Sequence, residues 1–309
     1  MTSLRNYWTD LIPSNRLPDF FFVGPERTAS SWLHKALEGH VSLPRGVKET
    51  RFFDRHWEKG LTWYLWHYRL ARPGTLIGEI APTYFHSRAA RERIAQAAPG
   101  CRIICTLRDP VARTYSLYRI LRKYSVIAES FEETLQKNPW LIELGRCSHH
   151  LVDWFDMFGP ARLQVLIYDD LETDPQGFLQ AICRFLSVPE IPLDQSTGLN
   201  RVNGAERAPR NPRIAKFARI MRERLRGHRQ HRIVNFWKRT PLWEWCFSGG
   251  EEFGPIDPGI RDHLRRVFQP EVDALEVLLR RDLSEWKNQQ YHSKSGTMCG
   301  TGQSGTNTV

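Results

Sequence analysis

The residues best suited to chemistry lie in a loop between a short apolar run and a helix. Residues 20–23 are predicted to form a buried strand, Gly24-Pro25 breaks it, and residues 32–37 have the composition of a helix. Backbone N–H groups of a first helical turn point into such a loop, and the helix dipole favours an anion there. Arg27 adds a permanent positive charge, and Ser30-Ser31 adds two hydroxyl groups. The pattern predicts a site for phosphate or a similar oxyanion, with a capped helix start in an ordinary α/β core as the alternative.

A second anion site is predicted where another apolar run ends. Residues 101–107 read as a strand, and Arg-Asp-Pro-x-x-Arg-x-x-Ser follows over residues 108–116. Pro110 can open a helix, and Ser116 lies on that helix within reach of a ligand at its start. Arg108 supplies the charge-assisted fork that a phosphate dianion needs. The alternative is a surface helix that merely begins at a proline.

The first loop is not that of a nucleoside triphosphatase. It lacks the Gly-Lys-Ser/Thr of a Walker motif, and no apolar run ending in a Walker-type Asp follows it. A kinase-like, metal-assisted phosphoryl transfer is therefore disfavoured, and no metal is expected.

The segment Pro-Glu-Arg-Thr-Ala-Ser-Ser-Trp-Leu, residues 25–33, resembles the phosphosulfate loop of sulfotransferases that use 3′-phosphoadenosine 5′-phosphosulfate (PAPS). It departs from that family in having Arg27 where Lys is commoner and Ala29 where Gly is usual. The resemblance implies a role in holding the nucleotide for Arg27, Thr28, Ala29, Ser30, Ser31 and Trp32. The Arg-Asp-Pro-x-x-Arg-x-x-Ser segment, residues 108–116, resembles the second signature of the same family, which implies that Arg108 and Ser116 bind the 3′-phosphate. Trp32 would stack near the adenine, although a core position suits it nearly as well.

Two further blocks resemble heparan-sulfate-type and related bacterial sulfotransferases. In Lys-Glu-x-x-Phe-Phe-Asp, residues 48–54, the resemblance makes Glu49 the catalytic base, assisted by Lys48, while Arg27 neutralises charge on the leaving phosphate. A solvated turn with one exposed carboxylate is the alternative for Glu49, and His56 and His67 are the next candidate bases. The block Glu-x-x-Pro-x-Tyr-Phe begins at Glu79 and carries Ile80 where heparan enzymes have Lys, which weakens the inference of a heparan-like acceptor.

The later part of the chain predicts contacts with nucleotide and acceptor. The polar, Pro-rich segment 200–213 resembles the loop that closes over the cofactor in relatives, so Asn203 and Arg207 are predicted nucleotide contacts. Basic residues at helical spacing dominate 207–239, which indicates a solvated amphipathic helix, a surface for an anionic acceptor, or peripheral contact with an acidic membrane. Trp243, Trp245 and Phe247 are expected to pack beneath an acceptor cleft or to line it.

The alternation of strands and helices predicts an α/β fold. Its central parallel sheet is flanked by helices, as in the P-loop-like sulfotransferase fold, with ligands at the carboxyl ends of the strands. We expect an N-terminal extension at 1–18, one domain at 19–289 and a disordered tail at 290–309. Within that domain, 207–250 would form a basic and aromatic acceptor or lid segment.

Composition and the N-terminal sequence limit the partner and the cellular setting of the protein. The 309 residues carry a net charge of +10, which indicates an anionic partner. Six cysteines show neither Cys-x-x-Cys pairs nor zinc spacing, so reduced thiols are expected. Residues 1–16 lack a continuous apolar stretch, so the sequence predicts a soluble, cytoplasmic protein without signal peptide or anchor.

These observations predict in-line transfer of a sulfuryl group from PAPS to a hydroxyl or amine of a carbohydrate, glycolipid or small-metabolite acceptor. The competing hypotheses are an inactive sulfotransferase relative that binds polyanions or membranes, and a nucleic-acid- or membrane-binding module. The second would leave both anion sites unexplained, and no nucleic acid partner is expected.

Overall fold

A computed structural model describes residues 16–193, 205–227 and 230–288. The predicted contact residue Asn203, most of the predicted N-terminal extension and the predicted tail at 290–309 lie outside these ranges. The strands are β1 (Phe20–Gly24), β2 (Gly78–Ile80), β3 (Arg102–Leu107), β4 (Leu163–Ile167), β5 (Arg207–Pro209) and β6 (Gly249–Glu252).

The helices alternate with these strands along most of the chain. In order they are α1 (Ser30–Leu37), α2 (Phe52–Arg55), α3 (Gly60–Leu65), α4 (Arg88–Ala97), α5 (Pro110–Lys123), α6 (Phe131–Lys137), α7 (Trp140–Glu143), α8 (Ser148–Phe158), α9 (Tyr168–Thr173), α10 (Pro175–Leu186), α11 (Pro212–Gly227), α12 (His231–Trp237), α13 (Pro241–Phe247) and α14 (Pro258–Leu279). Single 3₁₀ turns occupy Trp57–Lys59, Trp66–Tyr68, Pro82–Tyr84 and Ser284–Trp286.

The central sheet confirms the predicted fold class. Its four strands lie in the order β2-β1-β3-β4, and all neighbouring pairs are parallel. In this register Phe21 faces Glu79 on one side and Ile103 on the other. Because β1 and β3 are neighbours, the loops that follow them emerge side by side at the carboxyl edge of the sheet.

The sheet is buried on both faces. Phe20 and Phe22 pack with α1 and α10, whereas Phe21 and Val23 point to the opposite face, toward α4, α8 and α14. A parallel strand covered on both faces reads as a continuous apolar run, which explains the sequence of β1. Gly24 ends the strand with a φ of 109°, and a Cβ there would overlap the backbone of Pro82, so the position requires glycine.

Two local features differ from the sequence-based expectation. Part of the predicted closing loop forms β5, which pairs with β6 in a separate antiparallel sheet. Asp257-Pro258 and the apolar residues at helical spacing that follow predict a last helix ending near Trp286, but α14 ends at Leu279 because Arg280 adopts a left-handed conformation, with φ 50°. The position of Asp174 directly before Pro175 predicts a helix cap, and Asp174 caps α10 by accepting a hydrogen bond from the N–H of Gly177 at 2.9 Å. Within the described ranges, every helix is too short or too polar to cross a bilayer.

Candidate active site

The loop between β1 and α1 has a backbone shaped for close approach. Arg27 and Ala29 both adopt φ of 71°, in the left-handed region that is unfavourable for residues with a Cβ. Ala29 is the N-cap of α1 and offers no side-chain acceptor to the N–H groups of the first turn. The positive end of α1 is therefore directed at the loop without a capping side chain.

The two predicted anion-binding segments are in direct contact. The Nε of Arg27 donates a hydrogen bond to the Oγ of Ser116 at 2.9 Å, across 89 positions of sequence. The Nη1 of Arg108 donates to the carbonyl oxygen of Arg27 at 3.3 Å. The guanidinium of Arg108 also lies 4.2 Å above the ring of Tyr168, at the start of α9. These contacts bring Arg27, Arg108 and Ser116 together at the carboxyl edge of the sheet.

Lys48 joins the first loop to the predicted base. Its Nζ donates to the Oγ of Ser30 at 3.1 Å and to the Oγ of Ser31 at 3.0 Å. The same nitrogen lies 3.3 Å from Oε1 of Glu49, and Oε2 of Glu49 lies 3.8 Å from the Nε of Arg51. Glu49 is therefore half-buried between two cations next to the hydroxyl groups of α1, rather than alone on a solvated turn.

Glu79 holds the segment that carries Glu49 in place through hydrogen bonds with Thr50. This carboxylate is fully buried and accepts hydrogen bonds from the N–H of Thr50 at 3.1 Å and from its hydroxyl at 2.5 Å. The hydroxyls of Tyr64 and Tyr84 donate to it at 2.7 and 3.1 Å. Burial raises the pKa of Glu79 to about 7, although these four donors favour the ionised form. Glu79 of β2 thereby holds Thr50, the residue that follows Glu49.

Burial also shapes the charges at the loop. Burial, reinforced by the nearby charge of Arg108, lowers the pKa of Arg27 to about 10, which leaves Arg27 cationic at neutral pH. Burial lowers the pKa of Lys48, and the carboxylate of Glu49 opposes that shift. Burial and the charge of Glu49 both raise the pKa of Glu26. The result is a partly desolvated concentration of positive charge, in which electrostatic attraction to an anion is stronger than in water.

Three predicted nucleotide contacts have local roles in the protein. The hydroxyl of Thr28 is buried and donates to the carbonyl of Pro25 at 2.6 Å. Trp32 is buried with its ring edge-on to Phe178 at 5.8 Å, in the core position that the sequence left open. Arg207 begins β5 and lies 3.5 Å from Glu252. Nucleotide contact by these three residues stays a prediction, as does contact by Asn203, which lies outside the described residues.

The two alternative bases are part of an aromatic cluster. His67 is buried edge-on to Trp63 at 4.9 Å, and its Nδ1 lies 3.4 Å from the carbonyl of Arg45. The ring of His56 lies 5.5 Å from the same tryptophan, and burial lowers its pKa. Packing accounts for both positions, whereas Glu49 is tied to the loop through Lys48.

Sequence reasoning missed three supporting residues. Arg113 is buried and donates to the carbonyl of Glu26 at 3.2 Å, so the inner arginine of the second motif braces the first loop. Tyr168 lies beneath Arg108, and Glu79 anchors Thr50. The signal for Glu79 was present, because a carboxylate within an apolar strand must find buried donors.

A buried ion pair attaches the last helix to the second anion-binding segment. The guanidinium of Arg265 on α14 donates to both carboxylate oxygens of Asp109, at 2.7 and 2.8 Å. Asp109 also caps α5 by accepting from the N–H of Val111 at 2.9 Å. Because Arg108 precedes Asp109, this bidentate pair sets the start of α5 and the direction of the Arg108 backbone.

The geometry as a whole suits an anion with two charged ends and a proton acceptor beside one of them. Ser30, Ser31 and Lys48 lie at one end, and Arg108 and Ser116 lie at the other. Arg27 connects the two through its hydrogen bond to Ser116. Glu49 lies next to the first end.

Comparison with known proteins gives a consistent result. Residues 17–201 match the family model described as a sulfotransferase domain. The human bifunctional heparan sulfate N-deacetylase/N-sulfotransferase 3 is 28% identical over 207 residues, which cover 60% of this chain and 24% of that protein. Mouse heparan sulfate glucosamine 3-O-sulfotransferase 3B1 is 29% identical over 204 residues, 62% of this chain and 51% of that protein. The chain therefore spans between a quarter and about half of the length of these relatives.

The fold has a counterpart among solved structures. A sulfotransferase from Alicyclobacillus acidocaldarius superposes with a TM-score of 0.63 at 20% identity, covering 88% of this chain and all of that one. This likeness supports the assignment of the fold.

Proposed function

The chain belongs to the family of proteins with a sulfotransferase domain, and we propose that it transfers a sulfuryl group from PAPS to a hydroxyl or amine of an acceptor. The observation that carries the proposal is the contact between the two anion-binding segments, with Lys48 linking the first of them to Glu49. This arrangement supplies two anion subsites and one carboxylate.

The residues of the site fit a nucleotide that carries phosphate groups at two positions. In the proposal, Ser30, Ser31 and the first turn of α1 hold the 5′-phosphosulfate, with Thr28 and Ala29 contributing through the backbone. Arg108 and Ser116 hold the 3′-phosphate, since Arg108 is oriented by Tyr168 and by the carbonyl of Arg27. Trp32, Asn203 and Arg207 remain proposed nucleotide contacts.

The proposed chemistry is an in-line displacement in which PAPS supplies the sulfuryl group. The acceptor oxygen or nitrogen forms a bond to sulfur while the bond from sulfur to the 5′-phosphate oxygen breaks. Glu49 takes the acceptor proton, for which a partly buried carboxylate adjacent to the subsite is suited. Lys48 and Arg27 stabilise the negative charge that develops on the leaving phosphate oxygen.

For the acceptor we propose a hydroxyl or amine on a carbohydrate, a glycolipid or a small metabolite. The relatives' names refer to heparan sulfate, but Ile80 stands where the resemblance predicts Lys, so a heparan-like polymer is not favoured.

The five cysteines in the described ranges are free and buried, which supports the proposal of a reducing, cytoplasmic setting.

The direct test replaces the proposed base. Sulfur-labelled PAPS is incubated with the protein and a panel of soluble sugars, glycolipids and hydroxylated metabolites. Glu49→Gln should lower kcat by a factor on the order of 10² to 10⁴ while leaving affinity for 3′-phosphoadenosine 5′-phosphate (PAP) unchanged. The control is Glu58→Gln, which removes an exposed carboxylate nine positions away and should have no effect.

The outcomes separate the alternatives. Full activity in Glu49→Gln would refute the role of Glu49 and make His56 and His67 the next bases to replace. Tight PAP binding by the wild-type protein without transfer to any acceptor in the panel would favour an inactive relative.

A further inference from the structure

The positive charge of this protein is concentrated in one segment. Residues 207–239 contain twelve of the 44 Lys and Arg residues but only one of the 34 acidic residues. This segment therefore carries a charge of +11, and the remainder of the chain carries −1. The segment lies beyond the part of the chain, residues 17–201, that matches the family model.

Helices α11, α12 and α13 form a small bundle. Ala215 and Ala218 of α11 pack with Cys246 and Phe247 of α13, and Trp237 of α12 packs against the same cluster. Two arginines of α11 also turn inward to Tyr124 at the end of α5. Arg219 donates to its carbonyl at 3.1 Å, and Arg222 lies 4.6 Å above its ring. The inner faces of the bundle thus pack against one another and against Tyr124.

The outer faces combine basic and large apolar side chains. On α11 the exposed residues Arg213, Phe217, Ile220 and Arg224 recur at intervals of four, three and four positions, which places them on one helical face. Phe217 is 66% exposed, and Phe236 on α12 is 73% exposed. The remaining large apolar side chains exposed on α12 and α13 are Ile233, Leu242 and Trp245. We call these exposed residues of α11–α13 the basic-apolar surface.

This surface borders the candidate active site. The Nδ2 of Asn235 on α12 donates to the carbonyl of Gly46 at 3.4 Å, two residues before Lys48. Burial lowers the pKa of Lys123 at the end of α5, with the charge of Arg27 adding to that shift and the carboxylate of Glu244 on α13 opposing it. Lys123 therefore lies within electrostatic reach of both the anion-binding loop and the bundle.

We propose that the basic-apolar surface docks on an anionic lipid bilayer. Basic side chains are attracted to the negative surface of such a membrane, and aromatic and aliphatic side chains gain by entering the region between headgroups and acyl chains. A polyanionic sugar would satisfy the arginines but would leave Phe217, Phe236 and Trp245 in water. The combination of charge with exposed apolar area therefore favours lipid. The acceptor is then a hydroxyl or amine presented at that membrane surface, an extension that rests on the proposed sulfuryl transfer.

The test is co-sedimentation of the whole protein with vesicles of phosphatidylcholine, with or without phosphatidylserine, at low and at high salt. Binding should require phosphatidylserine and weaken with salt. Phe217→Ser combined with Phe236→Ser should reduce the partition coefficient at least tenfold. Arg213→Gln and Arg224→Gln should each reduce it about fivefold, the ratio that corresponds to about 1 kcal/mol for a basic residue at an anionic surface.

A matched control removes apolar side chains elsewhere. Val152→Ser combined with Val277→Ser alters exposed positions on α8 and α14, and it should leave vesicle binding unchanged. All variants should keep wild-type affinity for PAP, which shows that they are folded. Because PAP binding is measured without vesicles, failure of the docking proposal is distinguishable from failure of the proposed function.

Three results would overturn the proposal. One is equal binding to vesicles with and without phosphatidylserine, and another is no binding to either. The third is a double Phe variant that binds like the wild type while the arginine variants lose binding to vesicles and to heparin alike. That result would assign the surface to an anionic polysaccharide.

Discussion

The buried carboxyl group of Glu79 makes the stability of this protein depend on pH in a predictable direction. Burial raises its pKa from 4.5 to about 7. In the folded state it therefore keeps a proton between these pH values, whereas the unfolded chain has lost it. The folded state binds more protons in that interval, so its stability decreases as the pH rises from about 4.5 to 7 and stays level above.

The magnitude follows from the size of the shift. One pKa unit corresponds to about 1.4 kcal/mol, so a shift from 4.5 to about 7 gives a loss of about 3 kcal/mol across this interval. Glu79 is fully buried, so solvent does not screen the effect.

Glu79→Gln isolates this contribution. An amide oxygen at the Oε1 position can accept from Thr50 and Tyr84 as the carboxylate does. The amide nitrogen at the other position would donate to the hydroxyl of Tyr64, which can accept a hydrogen bond and turn its own proton toward Tyr68, 3.3 Å away. The variant should therefore fold with a neutral group that does not titrate.

The assay is urea unfolding of wild type and variant at a series of pH values from about 4.5 to 8. Other titrating groups are common to both proteins, so their contributions cancel in the difference. Relative to the variant, the wild type should lose about 3 kcal/mol between the ends of the series. A difference that does not change with pH would refute the reasoning, because it would mean that the four hydrogen bonds keep Glu79 ionised throughout.

Three further substitutions test the site. Arg108→Ala should weaken PAP binding by about 1.5–3 kcal/mol, the contribution of hydrogen bonds to a charged group, measured by calorimetry; unchanged affinity would remove Arg108 from the nucleotide site. Ala29→Gly should stabilise the protein by about 1 kcal/mol in urea unfolding, because glycine adopts a φ of 71° without the cost that a Cβ imposes. A destabilised variant would contradict the left-handed conformation of this loop. Arg265→Ala should cost about 3–5 kcal/mol of stability, since it leaves the carboxylate of Asp109 buried without its partner. A loss below about 1 kcal/mol would show that the ion pair of Arg265 and Asp109 is not buried in solution.

Much of the site followed from sequence because its signals are local. Phe20 to Gly24 and the residues after it give strand, turn and helix start in one continuous stretch, and the proline-opened segment from Arg108 does the same. Parallel strands then bring the two loops to one edge of the sheet. Arg27 can donate its hydrogen bond to Ser116 because this topology places the two segments side by side.

What escaped prediction depends on tertiary contacts. The bond from Glu79 to Thr50 joins a strand to a distant loop, and no spacing in the sequence encodes it. The pair β5 and β6 has three and four residues and contains proline and two glycines, so it lacks the alternation that marks a strand. The end of α14 at Leu279 depends on a left-handed arginine, Arg280, at a position where glycine is the usual signal.

The central claim is that the two joined anion-binding segments recognise a nucleotide with phosphate groups at its 3′ and 5′ positions. Its most direct test is a calorimetric titration of the purified protein with PAP, with ATP as the comparison ligand, at moderate salt. We expect tight binding of PAP and weak binding of ATP, with the preference lost in Arg108→Ala. Equal and weak binding of both nucleotides would contradict it, because it would mean that the basic surface attracts any polyanion.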